Sequence, residues 1–210
     1  MPISDRDYMR SSPPKRTFKV RGGSYISLNP IWIIIAVNFL LFILTFINRN
    51  FIYEYLGLIP AIFLERPWTI ITNMFVHAGF WHIFANMLTL FFFGRALTIL
   101  AGANRFLLVY FVGGIVGGIF YLLLGEPLSI AVGASGAVYA IAGALVVMRP
   151  NLKVLVYFIV PMPLWVVVLV FFGIWSFIPG VAWQAHLGGL ITGLVAGYFF
   201  RRRERHYYFR

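Results

Sequence analysis

The chain has 210 residues, of which 61% are hydrophobic and only 11% carry a charged side chain. A soluble domain holds roughly 45–50% apolar and about 25% charged residues, so this composition excludes both a water-soluble globule and a disordered chain. In so apolar a chain, a formal net charge of +11 indicates basic segments that orient a membrane protein, rather than a nucleic-acid partner. The sequence contains no Cys, which excludes disulfides, thiolate metal sites and cysteine nucleophiles.

The chain opens with a polar, basic tail, residues 1–28, which we expect to be mostly unstructured apart from a candidate short strand at 18–28. No short apolar segment with a small-residue cleavage site follows the tail, so we do not expect a signal peptide. The first apolar run, 31–48, is long enough to cross a bilayer, and Pro30 stands where a helix can begin.

Residues 49–78 are too apolar for a mobile loop, yet Pro60 and Pro67 interrupt any full span. We interpret this segment as a folded loop that is partly embedded in one leaflet of the membrane.

Five further apolar runs predict an all-α membrane protein with six transmembrane helices in a domain of residues 29–200, followed by a basic tail at 201–210. Pro161 and Pro163 are expected to kink or shift the fifth span. The predicted spans two to six are 79–98, 105–124, 128–148, 154–177 and 183–200.

Six spans place both termini on one side of the membrane. Fifteen of the 17 Lys and Arg residues then lie on that side, and only Arg49 and Arg66 lie on the other. The positive-inside rule therefore predicts a multi-pass protein of the plasma (inner) membrane with both termini in the cytoplasm. The basic tails are also suited to contact anionic lipid headgroups.

Polar side chains inside a bilayer are costly, and in the predicted spans they collect at one depth. Spans two, four and six all enter from the outer face in this topology. The polar residues that fall roughly 6–13 Å below that face, at 1.5 Å per residue, are His82 and Asn86 in span two, Ser135 in span four and His186 in span six.

This set of side chains suits one kind of chemistry. A serine and a histidine at hydrogen-bond distance form a nucleophile with its general base, which makes Ser135 and His186 the candidate pair. His82 and Asn86 are four residues apart on one helix face, where an imidazole N–H and an amide N–H can donate to an oxyanion. No Asp or Glu is available to orient the histidine, so the catalytic unit would be a dyad, with Tyr139 placed to stack on the imidazole.

Each of these residues also has a purely structural interpretation. A serine between glycines usually marks close helix packing, and a single His or Asn in a span commonly makes a hydrogen bond between helices. Their joint occurrence at one depth is what favours a site. Glycines at 189, 193 and 197 would let span six approach span four closely, which is compatible with a contact between Ser135 and His186.

Three motifs, HAGFWHIFANM at 77–87, GASGAVYA at 133–140 and AHLGG at 185–189, follow one another on spans two, four and six. In this order and at this depth they resemble the rhomboid family of intramembrane serine proteases, over residues of about 49–200. The resemblance implies a six-helix bundle with Ser135 as nucleophile, His186 as general base, an oxyanion hole made by His82, Asn86 and the Ser135 backbone N–H, and supporting positions at His77, Gly133 and Tyr139.

The resemblance also implies an activity, which is cleavage of membrane-spanning proteins near their outer end, at small residues, after local unwinding of the helix. It implies that the partners are transmembrane protein substrates and the lipid bilayer, with no nucleic acid, and that the active site opens to the extracytoplasmic side. It implies no metal and no cofactor. Span five and residues 176–184 would form a lateral gate and a cap over the site.

Two positions depart from the family's pattern. The family often has Trp-Arg in its first loop, where this chain has Trp68 followed by Thr69, and it often has Glu where Thr98 follows GRAL. Both positions belong to the scaffold. The departures therefore affect the expectation for how the loop is anchored, and not the expectation for the chemistry.

Two alternatives stay open. A catalytically inactive rhomboid-like protein would bind transmembrane clients, although such relatives usually lack the serine or the histidine. A small-solute transporter would be expected to carry a charged residue within the membrane or an inverted repeat, and the sequence shows neither.

Overall fold

The computed structural model describes residues 29–156 and 159–208, and this part of the chain is mainly helical. The tail of residues 1–28, with its predicted strand, lies outside the described residues. Helix α1, Pro30–Thr45, begins as expected: the Asn29 side chain accepts the Ile31 N–H at 3.0 Å, and Pro30 occupies the first turn.

Residues 49–78, expected to form a folded loop, contain two short helices and two 3₁₀ turns. Arg66 and Trp68 anchor the loop: an Arg66 guanidinium N–H donates to the Glu54 carbonyl at 2.6 Å, and the Trp68 indole donates to the Tyr55 carbonyl at 2.8 Å. These bonds hold the loop although Thr69 replaces the family's arginine. The elements are α2, Arg49–Leu56, a 3₁₀ turn at Pro60–Ile62, α3, Thr69–Thr72, and a 3₁₀ turn at Asn73–Phe75.

Helices α4, Phe80–Ala101, and α5, Ala103–Leu124, meet at Gly102, whose positive φ of 92° permits the sharp reversal. Among the described residues, these two helices are long and apolar enough to cross a membrane, while α1 and the later helix at Ser135–Met148 are apolar but shorter. The count of six spans therefore stays a prediction.

The fourth predicted span begins later than expected. Helix α6 covers Ser135–Met148, whereas residues 128–134 are not helical. Leu58 and Ala131 pair as an antiparallel bridge, with N–H to carbonyl distances of 3.0 and 2.9 Å, and the Gly133 N–H donates to the Asn73 carbonyl at 2.9 Å. Such backbone is tolerated in a membrane protein where other protein groups satisfy it, and here the loop of residues 49–78 does so.

The fifth predicted span also differs, because its first part is a β-hairpin. Pro161 and Pro163 lack the N–H that a helix interior requires, whereas an edge strand tolerates proline. The helical part starts only at residue 164. The elements are β1, Lys153–Val156, antiparallel to β2, Val160–Pro163, then α7, Leu164–Val166, a π-helical stretch at Val167–Phe172 and α8, Gly173–Ser176.

The last helix, α9, covers Trp183–Tyr208 and continues past the predicted end at residue 200 into the basic segment. It packs against α6, which is buried at every residue from 136 to 145. A methyl group added at Gly189 would overlap the Gly136 carbonyl, and one added at Gly193 would overlap the Ala140 carbonyl. The glycine face predicted for span six is thus the surface that brings α9 against α6.

Candidate active site

Ser135 and His186 lie on the two helices that pack most closely. Ser135 is the first residue of α6, and His186 lies in the first turn of α9. The Ser135 Oγ is 2.8 Å from the His186 Nε2, a hydrogen-bond distance. His186 is only 6% exposed and Ser135 is half-buried, so the imidazole is shielded from solvent while the serine stays partly accessible. A hydroxyl and an imidazole in this geometry can act as nucleophile and general base.

The start of α6 adds an electrostatic contribution beside Ser135. The first N–H with an acceptor inside the helix is that of Val138, which donates to the Ala134 carbonyl at 3.0 Å. Ala134 at the N-cap offers no side-chain acceptor, so the first N–H groups, including that of Ser135, are not capped by it. The positive end of the helix dipole therefore lies beside Ser135, where it can stabilise a negative charge.

His82 directs one ring nitrogen toward the same region. Its Nδ1 accepts the Ala78 N–H at 3.3 Å, so the neutral ring carries its proton on Nε2. A Cβ at Gly133 would lie 2.7 Å from that Nε2 and 3.8 Å from the Ser135 Oγ. The His82 Nε2–H and the Ser135 Oγ therefore border the same space at Gly133, which has φ of 129° and no side chain to fill that space.

Asn86 lies one turn along α4 from His82 and is 7% exposed. Its Nδ2 donates to the His82 carbonyl at 2.9 Å, which uses one of the two amide N–H bonds. Among the contacts of the described residues, the second N–H has no acceptor, which makes it a second donor on the His82 face of α4.

His77 supports the turn that leads into Ser135. Its ring is 4.9 Å from that of His82, and its Nε2 accepts the Ala134 N–H at 3.4 Å. Burial, and to a lesser extent the neighbouring His82, lowers the pKa of His77 to about 3. His77 is therefore neutral at physiological pH and can accept a hydrogen bond from the backbone.

His186 has two further contacts, one with Tyr139 on the ring face and one with Ser176 at Nδ1. The sequence patterns assigned no role to Ser176. The Tyr139 ring stacks on the imidazole, with centroids 4.3 Å apart and planes 13° apart. The Ser176 Oγ lies 2.7 Å from the His186 Nδ1 and 2.9 Å from the Tyr139 hydroxyl. The resemblance placed Ser176 at the start of the expected cap, residues 176–184, but gave it no role, and the only other signal was a single hydroxyl in the apolar run FFGIWSFI.

A helical membrane protein with a partly buried serine–histidine pair is thus the class that the fold and the site define. The Rhomboid domain family model matches residues 64–203 of the chain, so the chain belongs to the rhomboid family, and it is a membrane protein.

Several relatives are similar to this chain over more than half of its length. "Putative rhomboid protease YdcA" of Bacillus subtilis is 35% identical over 152 residues, which cover 67% of this chain and 71% of that protein. "Rhomboid protein 1, mitochondrial" of Saccharomyces cerevisiae is 29% identical over 193 residues, covering 72% of this chain and 53% of the yeast protein. "Rhomboid protease GluP" of Bacillus subtilis is 30% identical over 129 residues, covering 61% of this chain and 25% of that protein. The matched region thus spans about half of the yeast relative and a quarter of the GluP protein.

Proposed function

We propose that this protein is an intramembrane serine endopeptidase that cleaves transmembrane segments of other proteins near the outer face of the membrane. The observation that carries the proposal is the partly buried 2.8 Å contact between the Ser135 Oγ and the His186 Nε2 in a protein of the rhomboid family. The names of the Bacillus subtilis relatives support a protease, and the chain retains both members of the dyad.

In the proposed reaction, His186 Nε2 takes the proton of Ser135 as the Oγ attacks the carbonyl carbon of the scissile peptide. The oxyanion of the tetrahedral intermediate accepts hydrogen bonds from the Ser135 N–H, the His82 Nε2–H and the Asn86 amide. The imidazolium then gives its proton to the leaving amine, and the C–N bond breaks to leave an acyl-enzyme. Water attacks this ester with His186 again as base, which releases the acid product and restores Ser135.

The proposed orientation places the site on the extracytoplasmic side of the inner membrane. His82, Ser135 and His186 lie near the N-terminal ends of α4, α6 and α9, so these three ends share one side of the bundle. The opposite ends of α6 and α9 carry basic side chains, and an Arg201 guanidinium N–H donates to the Val147 carbonyl at 3.2 Å there. The positive-inside rule puts that basic side in the cytoplasm.

Transmembrane proteins with small residues near the outer membrane face are the proposed substrates. The bilayer delivers them laterally, past a gate formed by the fifth predicted span and residues 176–184. No nucleic acid, metal or cofactor takes part in the proposed reaction.

The test uses the purified full chain in liposomes with a model transmembrane substrate and a fluorophosphonate probe that labels activated serines. We expect the wild-type protein to cleave the substrate and to be labelled, while Ser135→Ala and His186→Ala abolish cleavage and keep the thermal unfolding midpoint. Wild-type turnover in either variant would reject the dyad. A wild-type protein that binds the substrate but is neither labelled nor active would instead be an inactive, client-binding rhomboid.

A further inference from the structure

His186 makes hydrogen bonds at both ring nitrogens, and each bond goes to a different serine. Nε2 contacts Ser135 at 2.8 Å, whereas Nδ1 contacts Ser176 at 2.7 Å. Ser176 belongs to α8, outside the three family motifs, and is 7% exposed. A short, buried hydrogen bond to the second nitrogen of a general base is the position that the third member of a catalytic triad occupies in other serine hydrolases.

The chemistry of the base requires an acceptor at this position. When Ser135 gives up its proton, His186 becomes an imidazolium, and both ring nitrogens are then donors. The Nδ1–H must find an acceptor within the protein, because a buried donor of a charged group without a partner is costly. Ser176 Oγ is the acceptor within reach, and the Tyr139 hydroxyl oxygen, 2.9 Å from it, can accept the Ser176 O–H in turn.

We propose that Ser176 is a positioning residue for the general base, whose hydroxyl accepts the Nδ1–H of His186 and stabilises the imidazolium formed as Ser135 attacks. The inference rests on the proposed function, since it assigns a role within the same site. Stacking by Tyr139 fixes the plane of the ring, and the bond to Ser176 fixes its rotation within that plane. Both restraints are needed to direct Nε2 at the Ser135 Oγ.

This role predicts an effect on turnover rather than on substrate binding, because the bond strengthens only when the ring becomes charged. Ser176→Ala should lower kcat by about 10-fold to 100-fold, the range for a hydrogen bond to a charged group, and should leave KM nearly unchanged. Labelling by a small fluorophosphonate should slow by a similar factor, since the probe needs the base but no docked transmembrane substrate.

A matched pair of variants separates the hydroxyl from the shape of the side chain. Ser176→Thr and Ser176→Val place nearly the same volume at this position, but only threonine keeps an acceptor for Nδ1–H. We expect the threonine variant to retain most of the wild-type kcat and the valine variant to fall to the level of Ser176→Ala. Thermal unfolding of every variant on the same preparation reports the folded fraction.

Tyr121 and Ser129 provide the control, because their side-chain oxygens form an equivalent tyrosine–serine bond of 2.6 Å away from His186. Ser129→Ala should leave kcat at the wild-type value. Wild-type kcat in Ser176→Ala, or equal kcat in the threonine and valine variants, would overturn the positioning role while Ser135→Ala still confirms the protease. Cleavage that persists in Ser135→Ala would overturn both the proposed function and this inference.

Discussion

Two asparagines of the helical bundle make the same local hydrogen bond in different surroundings. The Asn38 Nδ2 donates to the Ile34 carbonyl at 2.7 Å in α1, and the Asn86 Nδ2 donates to the His82 carbonyl at 2.9 Å in α4. Both side chains are buried. Only Asn86 shares its helix face with His82. Comparing variants at Asn38 and Asn86 therefore separates the loss of a local structural bond from the loss of a proposed oxyanion donor.

We expect Asn86→Ala to lower kcat by at most about 10²-fold with little change in KM. Loss of one oxyanion donor costs about 10²–10³ in rate, and His82 and the Ser135 N–H would remain as donors. Asn38→Ala is the matched control, which should lower the thermal unfolding midpoint but leave kcat per folded molecule unchanged. If Asn86→Ala behaves like the control in both measurements, its role is packing alone.

At the residue scale, spacing within one helix predicted which side chains share a face, whereas spacing between separate elements did not predict which side chains meet. Tyr139 follows Ser135 by four residues, which predicts a shared face, and in the structure its ring stacks on His186. Ser176 precedes His186 by ten residues across a break between α8 and α9, and no helical or strand period relates two such positions. Its contact with the ring arises only from how the two elements pack.

At the element scale, the sequence predicts which segments are apolar but not which of them are helical. Residues 128–131 continue the apolar run of the fourth span, yet their backbone pairs with Leu58, so α6 starts at Ser135. This late start places the serine at the end of a helix, where backbone N–H groups are free to act as donors. In the fifth span the two prolines correctly indicated an interruption of the helix. The interruption is a hairpin followed by a short helix, rather than the expected kink.

The packing of α9 on α6 sets the distance between Ser135 and His186. A substitution at Gly193 tests this dependence. A methyl group at this position would overlap the Ala140 carbonyl, which cannot move without displacing α6. We expect Gly193→Ala to destabilise the protein by about 1–3 kcal/mol, the usual cost of overpacking, and to reduce cleavage by separating the two helices. Thermal unfolding and turnover of the purified variant measure the two effects.

Gly173 is the matched control for this prediction, because it is also helical but no heavy atom lies within 4 Å of the place that an alanine Cβ would occupy. Gly173→Ala should not destabilise the protein, and the better helix propensity of alanine should raise the free energy of unfolding by about 0.5–1 kcal/mol. Equal unfolding midpoints for the two variants would show that the glycine face of α9 does not determine the packing.

At the scale of the whole molecule, three helices begin on the side of the site, and Arg149 and Arg201 lie at the opposite ends of α6 and α9. The N-terminal ends of α4, α6 and α9 hold His82, Ser135 and His186, so three separate chain segments supply the site. Composition alone was enough to predict a membrane protein, because mean hydropathy does not depend on where the helices begin and end. The number of spans depends on helix length and tilt, and among the described residues only α4 and α5 meet the length and hydropathy expected of a span.

The orientation of the molecule can be tested directly, because the chain has no Cys and a single introduced thiol is therefore the only one that reacts. Glu65 lies in the loop of residues 49–78 and Lys153 lies in β1, and both side chains are exposed. The positive-inside rule predicts that the loop faces outward and that β1 faces the cytoplasm. In intact cells, an impermeant maleimide should label Glu65→Cys at once, and should label Lys153→Cys only after the membrane is permeabilised. The reverse pattern would place the serine–histidine pair on the cytoplasmic side, and the proposed cleavage near the outer face would then be wrong.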